Sequence, residues 1–177
     1  LSVCRRKRFY RPGDKLNIYP NHLNRQFQAD RPNQKRVTDI TAIKTPQGML
    51  YLSVILDLYG RNVVAYQTSL RNDTKLVLDT LNKGTENKRV AMELQLHSDQ
   101  GFQYTSPAYM KLTQQYGITP SMSRRANPYD NAVIENFFGM LKTESIYIDK
   151  PRTIAQANQC IRDYILFFNT QRMLLKS

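Results

Sequence analysis

The stretch VTDITAIKTPQGMLYLSVILDLYGRNVVAYQTSL, residues 37–70, decides the fold class. VTDITAI (37–43) alternates and is rich in β-branched side chains, the signature of a strand. PQG (46–48) reads as a turn. The apolar run MLYLSVILDLYG (49–60) lacks a helical period and reads as a buried strand. GRN (60–62) turns the chain into a third strand, VVAYQTSL (63–70). Gaps this short join strands only as hairpins, so the three form an antiparallel meander.

Working outward, residues 72–86 predict a helix with Asp73 as its cap and Gly84 as its stop. ELQLHSD (93–99) predicts a fourth strand. A second helix over 106–117 is opened by Ser106 and Pro107 and closed by Gly117, and 118–122 follow as a fifth strand. SRRANPYDN (123–131) is a polar loop with turn chemistry at Asn127-Pro128, and helices are expected over about 130–145 and 153–172. The order βββαβαβαα predicts an α/β fold. Its five-stranded mixed sheet has three antiparallel strands first and helices on both faces.

The whole chain, 177 residues and 20.7 kDa, fits one domain with a short appendage. No apolar run reaches the roughly 18 residues of a membrane span, and no signal peptide opens the sequence. Two cysteines, Cys4 and Cys160, build no disulfide framework and suit a reducing, cytoplasmic setting. With two histidines, His22 and His97, a Cys/His zinc site is disfavoured.

Charge is more informative. Lys and Arg number 26 against 14 acids, a net +12, and residues 1–36 hold +8 of it. That surplus points to a polyanion, of which DNA is the obvious one. A ribosome-associated protein or a cationic tail would share it. Residues 1–36 read as a basic lead-in broken by Pro12, Gly13, Pro20 and Pro32, with the folded domain over 37–177. The chain starts at Leu1 and reads as a piece of something longer.

Among the acids, placement selects three. Asp39 lies inside the first strand, Asp99 ends the fourth with Gly101 permitting a tight exit, and Glu135 stands on the helix after the Asn-Pro loop. A carboxylate within an apolar strand is costly unless it is solvated, hydrogen-bonded or bound to a cation. If strands one and four are neighbours, Asp39 and Asp99 meet, and their repulsion calls for a divalent ion. Hard oxygen ligands suit Mg²⁺ or Mn²⁺. Two such ions about 3.5–4 Å apart hold the attacking and leaving oxygens of an in-line phosphoryl displacement. The plainer alternative is a strand-end cap, a turn acid and a solvated helix residue. Ile134, Phe137, Phe138 and Leu141 mark the buried stripe of the Glu135 helix, leaving Asn131, Glu135, Gly139 and Lys142 on an adjacent one.

These residues carry a resemblance. RPNQKRVTDIT (31–41), LYLSVILDLYGRNVVAY (50–66), HSDQGFQYTS (97–106) and RRANPYDNAVIENFFGMLKTE (124–144) occur in family order, with 35 residues between Asp99 and Glu135. In them the chain resembles the integrase core of bacterial insertion-sequence transposases, the DDE enzymes of the retroviral-integrase-like group. The resemblance implies a ribonuclease-H-like fold with Asp39, Asp99 and Glu135 as a metal-binding catalytic triad. It also implies Mg²⁺ or Mn²⁺ as cofactor, DNA cleavage followed by strand transfer, a homo-oligomer as the active form, and an upstream helix-turn-helix region before the basic lead-in. The alternatives are a related nuclease that only hydrolyses and an inactive or truncated nucleic-acid-binding remnant. Lys142, Asn131, Arg124, Arg125, Tyr104 and Tyr129 are the expected DNA contacts, by charge, amide bonding or stacking. Asp57 reads as a turn or structural acid, and His97 as a structural histidine or a group near the metal or a phosphate. The chain departs from the family pattern at Arg36, where Trp is usual, and at Ala126, where Gly is usual; after residue 172 MLLKS replaces an Arg-Pro-His-Ser type stretch.

Overall fold

A computed structural model describes residues 16–86 and 93–172. The meander forms as its pattern predicts: β1 (Lys35–Thr45), β2 (Gly48–Asp57) and β3 (Asn62–Ser69) pair antiparallel in sequence order. β4 (Gln95–Ser98) adds to the other side of β1 in parallel, and β5 (Thr119–Met122) adds to β4 in parallel. The sheet order is therefore β3-β2-β1-β4-β5, with β1 at its centre. β2 is buried from Leu52 to Asp57 without a break, which is why its sequence there runs apolar instead of alternating.

Helices cover both faces. α1 (Thr74–Thr85) and α2 (Pro107–Gln115) close one core, where Val77, Leu81 and Tyr109 meet Ile55 and Leu96. α3 (Ala132–Leu141) and α5 (Ile154–Phe167) close the other, where Ile134, Phe137, Leu141 and Ile161 pack on Val37, Leu52 and Val54. Asp73 and Ser106 cap their helices through the amides of Leu76 and Tyr109. Among the described residues no helix is long and apolar enough to cross a membrane.

Three boundaries differ from expectation. Gly84 does not stop α1. The helix runs one residue further, to Thr85, with Gly84 packed close to the sheet, where a Cβ would lie 3.2 Å from Ile55 Cδ1. The helix predicted over 130–145 begins at Ala132, after a 3₁₀ turn at Pro128–Asn131. It widens into π-type turns at Lys142–Ile146, resumes as the short α4 (Tyr147–Asp149), and ends on Lys150 with φ +48°. Of the basic lead-in, residues 1–15 lie outside the described residues, and the rest, though largely exposed, is anchored to the domain at Leu23. Leu23 is buried in the core, and the amides of His22 and Leu23 donate to Ser121 Oγ at 2.9 and 3.0 Å. Packing thus extends upstream of residue 37.

Candidate active site

β1 and β4 are neighbours, and their register pairs Val37 with His97. Carried two residues on, the same register sets Asp99 beside Asp39 at the end of the parallel pair. Each aspartate has one oxygen fixed by the backbone: Ile40 N–H donates to Asp39 Oδ1 and Gly101 N–H to Asp99 Oδ1, both at 2.8 Å. Gly101 leaves this oxygen room, since a Cβ there would lie 2.9 Å from Asp99 Oδ1. Glu135 approaches from the first turn of α3, whose partial positive charge favours a carboxylate. The three line one cleft of about 410 Å³, whose far wall is the loop from Ser123 to Asn131.

Burial first, then the hydrogen bond with Glu135 and the charge of Asp99, push the Asp39 carboxyl far above the usual carboxylate range. Asp99 is raised too, chiefly by burial and also by Glu135. Among the described residues no lysine or arginine forms an ion pair with any of the three. Nor do any three His, Cys, Asp or Glu side chains there stand close enough to ligate a single ion, so the carboxyls share a cleft without closing a coordination sphere. The donor set still suits a hard divalent cation. It is all oxygen, it repels itself, and the adjacent Asn131 side chain is buried with both amide atoms unbonded.

A fourth acid, which sequence reasoning missed, lies at the back of the same loop. Asp130 is 0% exposed and accepts five hydrogen bonds. Arg124 donates from its backbone N, Nε and Nη2 at 2.8–2.9 Å, Arg25 from Nε at 2.9 Å, and Asn21 from Nδ2 at 3.2 Å. These bonds, Arg124's foremost, hold its carboxyl well below the usual range. An acid beside paired arginines in a loop was the available signal, but Arg25 is a hundred and five residues away in sequence.

The remaining predicted residues divide clearly. His97 is structural: buried, bonded through both ring nitrogens to Ser121 and Ser123 Oγ, and lowered to about 4 by burial. Asp57 is structural too, accepting from the amides of Asn33 and Tyr59. Tyr104 is a correction. Only 1% exposed, it stacks edge-on against Tyr109 in the core and offers no ring to a base; its unbonded hydroxyl sits among Thr38, Asp39 and Asp99. Arg124 spends its guanidinium on Asp130. Tyr129 is exposed but carries Arg25 over its ring at 5.7 Å. Arg125 lines the carboxylate cleft. Lys142 does not, and instead borders a separate groove of about 660 Å³ with Lys44, Lys150 and Arg152.

Comparison with known proteins agrees with this architecture. Integrase core domain models match residues 29–128 and 135–177. InsK, the transposase-named protein of insertion sequence element IS150 in Escherichia coli (strain K12), is 39% identical over 97% of this chain and 60% of its own length. The transposase of insertion sequence element IS904 from Lactococcus lactis subsp. lactis (strain IL1403) is 40% identical over 94% of this chain and 66% of its own. The chain thus spans less than two thirds of either relative. In fold it resembles the simian T-cell lymphotropic virus intasome (TM-score 0.71, 16% identity, 88% of this chain and 54% of that one). It also resembles the HTLV-2 integrase catalytic core domain in complex with magnesium (TM-score 0.62, 15% identity, 79% and 88%). The sheet order, the helices on both faces and these matches share one conclusion: this chain belongs to the integrase core domain family.

Proposed function

We propose that Asp39, Asp99 and Glu135 form the catalytic centre of a DDE polynucleotidyl transferase within a bacterial, cytoplasmic transposase. It cuts a DNA strand and joins the end to a second DNA by in-line phosphoryl transfer. The observation that carries this reading is three carboxyls, unpaired by any base among the described residues, converging on one open cleft in a chain with net charge +12. Magnesium, present in the HTLV-2 relative, or manganese, held by these carboxyls, would neutralise charge on the reacting phosphate and sharpen the attacking water or hydroxyl.

The chain's own residues do the rest. Ile40 and Gly101 amides hold one oxygen of each aspartate still, which limits the rotational freedom that binding would otherwise remove. The Asn131 amide, unbonded and at the cleft wall, offers a donor and an acceptor to a bound phosphodiester. Arg125 adds charge at the rim. The active form is a multimer holding paired DNA ends, and an upstream DNA-binding region selects them.

The test is incubation of supercoiled plasmid and a labelled duplex with the chain and Mn²⁺. Nicked and joined products are expected, reduced about 10²- to 10³-fold in Asp39→Asn and Asp99→Asn. Equal activity in these variants would refute the assignment. Nicks without joined products would leave a nuclease that only hydrolyses.

A further inference from the structure

We infer that Asp130 is a positioning residue for this centre: it clamps the loop that walls the carboxylate cleft to the chain segment upstream of β1. The inference rests on the strand-cleavage reading above, but its observations lie outside the three carboxyls. Asp130 is a fully buried carboxylate on a loop that lines the cleft with residues 123–128 and Asn131. A buried charge is tolerated only when its lone pairs are filled, and here they are: Oδ1 accepts from Arg25 and Arg124, Oδ2 from Arg124 twice and from Asn21.

The donors come from two places. Arg124 belongs to the loop, so its bonds fold the loop on itself across six residues. Asn21 and Arg25 belong to the upstream segment, and Arg25 also reaches Asn127 Oδ1 at 3.3 Å. Both clamped ends bear on the cleft. Arg124 lies two residues after the end of β5, the neighbour of β4, and Asp130 sits five residues before Glu135 at the entry to α3. Release of the carboxylate frees the cleft wall and the first turn that aims Glu135, while the two cores stay intact. The loop also holds Ala126 in the left-handed region at φ +55°, a conformation that surrounding contacts must enforce. Because half of the clamp is upstream chain, the segment from Asn21 to Arg25 is mechanically connected to the cleft.

The full chain and its Asp130→Asn variant test this by hydrogen exchange and single-turnover kinetics. The variant is expected to exchange the amides of residues 124–131 about tenfold faster or more, with β1 and β2 unchanged. Cleavage of pre-bound DNA should fall about 10- to 100-fold while DNA affinity stays within about twofold. Arg25→Gln, at a half-exposed side chain outside the cleft lining, gives the same pattern in weaker form if Asp130→Asn does not fold. Unchanged loop exchange, or a released loop with unchanged cleavage, overturns the inference. A wild-type chain that cleaves no DNA sinks the strand-cleavage reading instead, and faster loop exchange in Asp130→Asn still supports the clamp.

Discussion

The loop from Ser123 to Asn131 has a buried acidic site on either side, and the two sites titrate in opposite directions. On the cleft side Asp39 and Asp99 are pushed up, by burial above all and by their acidic neighbours. At the back Asp130 is pushed down, by Arg124 above all. The contrast lies in who supplies the cation. A chain with 26 basic residues places two arginines on Asp130 and none in ion-pair contact with Asp39, Asp99 or Glu135 among the described residues. Asp130 is neutralised from within and works as architecture. The cleft acids keep their repulsion, which makes sense for a site that takes its positive charge from solution.

The largest expected effect is on stability in acid. His97 is lowered to about 4 from 6.5, so the unfolded chain takes up a proton first as pH falls. Its contribution is complete above about pH 6.5 and lost on the way down to 4, on the order of 3 kcal/mol. Asp130 adds a second step: its folded value lies below the unfolded one, so its contribution is present above about pH 4 and disappears below it. Asp39, raised, has the opposite sign and weakens the fold as pH climbs above the ordinary carboxylate range. Urea unfolding between pH 3 and 7 in EDTA should show both acid steps. His97→Gln should flatten the upper step and Asp130→Asn the lower, and an unaltered slope in either would break the comparison.

Next in size is the response to a divalent ion. At about a hundredfold excess over its dissociation constant, Mn²⁺ should stabilise the wild type by roughly 2.7 kcal/mol. In a domain of this size that is roughly 5–10 °C in melting temperature. Asp39→Asn should melt slightly higher than wild type in EDTA, having lost a repelling acid, and should gain nothing from Mn²⁺. A Mn²⁺ shift that survives Asp39→Asn would place the ion elsewhere.

How much of this was legible in the sequence follows the same division. The meander depends on strand period and short turns, which are written locally. The meeting of Asp39 with Asp99 was legible only on the condition that strands one and four are neighbours, a pairing sixty residues apart that the sheet supplies. Glu135 was found because its helix carries a buried stripe beside it. Asp130 was not found, because its partners Asn21 and Arg25 are over a hundred residues away and no periodic pattern marks an ion pair between loops. Tyr104 was misassigned for a related reason. An aromatic in a polar string looks like a stacking platform until the turn after Gly101 carries it inward onto Tyr109. Arg36, the departure from the family's usual Trp, is 1% exposed, with Nη1 on Gly84 O at 3.0 Å and Nη2 on Asn33 Oδ1 at 2.6 Å. A guanidinium there replaces packing with hydrogen bonds, and no sequence rule predicts that exchange.

A smaller effect sharpens the comparison at the cleft itself. In Gly101→Ala the new Cβ meets Asp99 Oδ1 at 2.9 Å and Gln103 Oε1 at 3.0 Å. The short aspartate side chain cannot swing clear without losing its bond from the residue 101 amide. Overpacking of this kind costs about 1–2 kcal/mol. Mn²⁺ affinity, read from the melting shift, should drop about tenfold, equivalent to ~1.4 kcal/mol. The acid steps of His97 and Asp130 should not move.

The smallest effect belongs to the loop between the two sites. Ala126 stands where the resembling family usually has glycine, and its φ of +55° lies in the region that an L side chain enters at a cost of about 1–2 kcal/mol. Glycine removes that strain but adds freedom to the unfolded chain, so Ala126→Gly should gain no more than about 1 kcal/mol. Urea midpoints of the two proteins measure it. Asn24→Gly, at φ +51° on a residue type that tolerates the region, is the control and should gain less. The sign matters more than the size. A gain in Ala126→Gly means that the Asp130 clamp holds the loop against its local preference, as a positioning device must. A loss would mean that the loop is at rest in this shape and that Asp130 only decorates it.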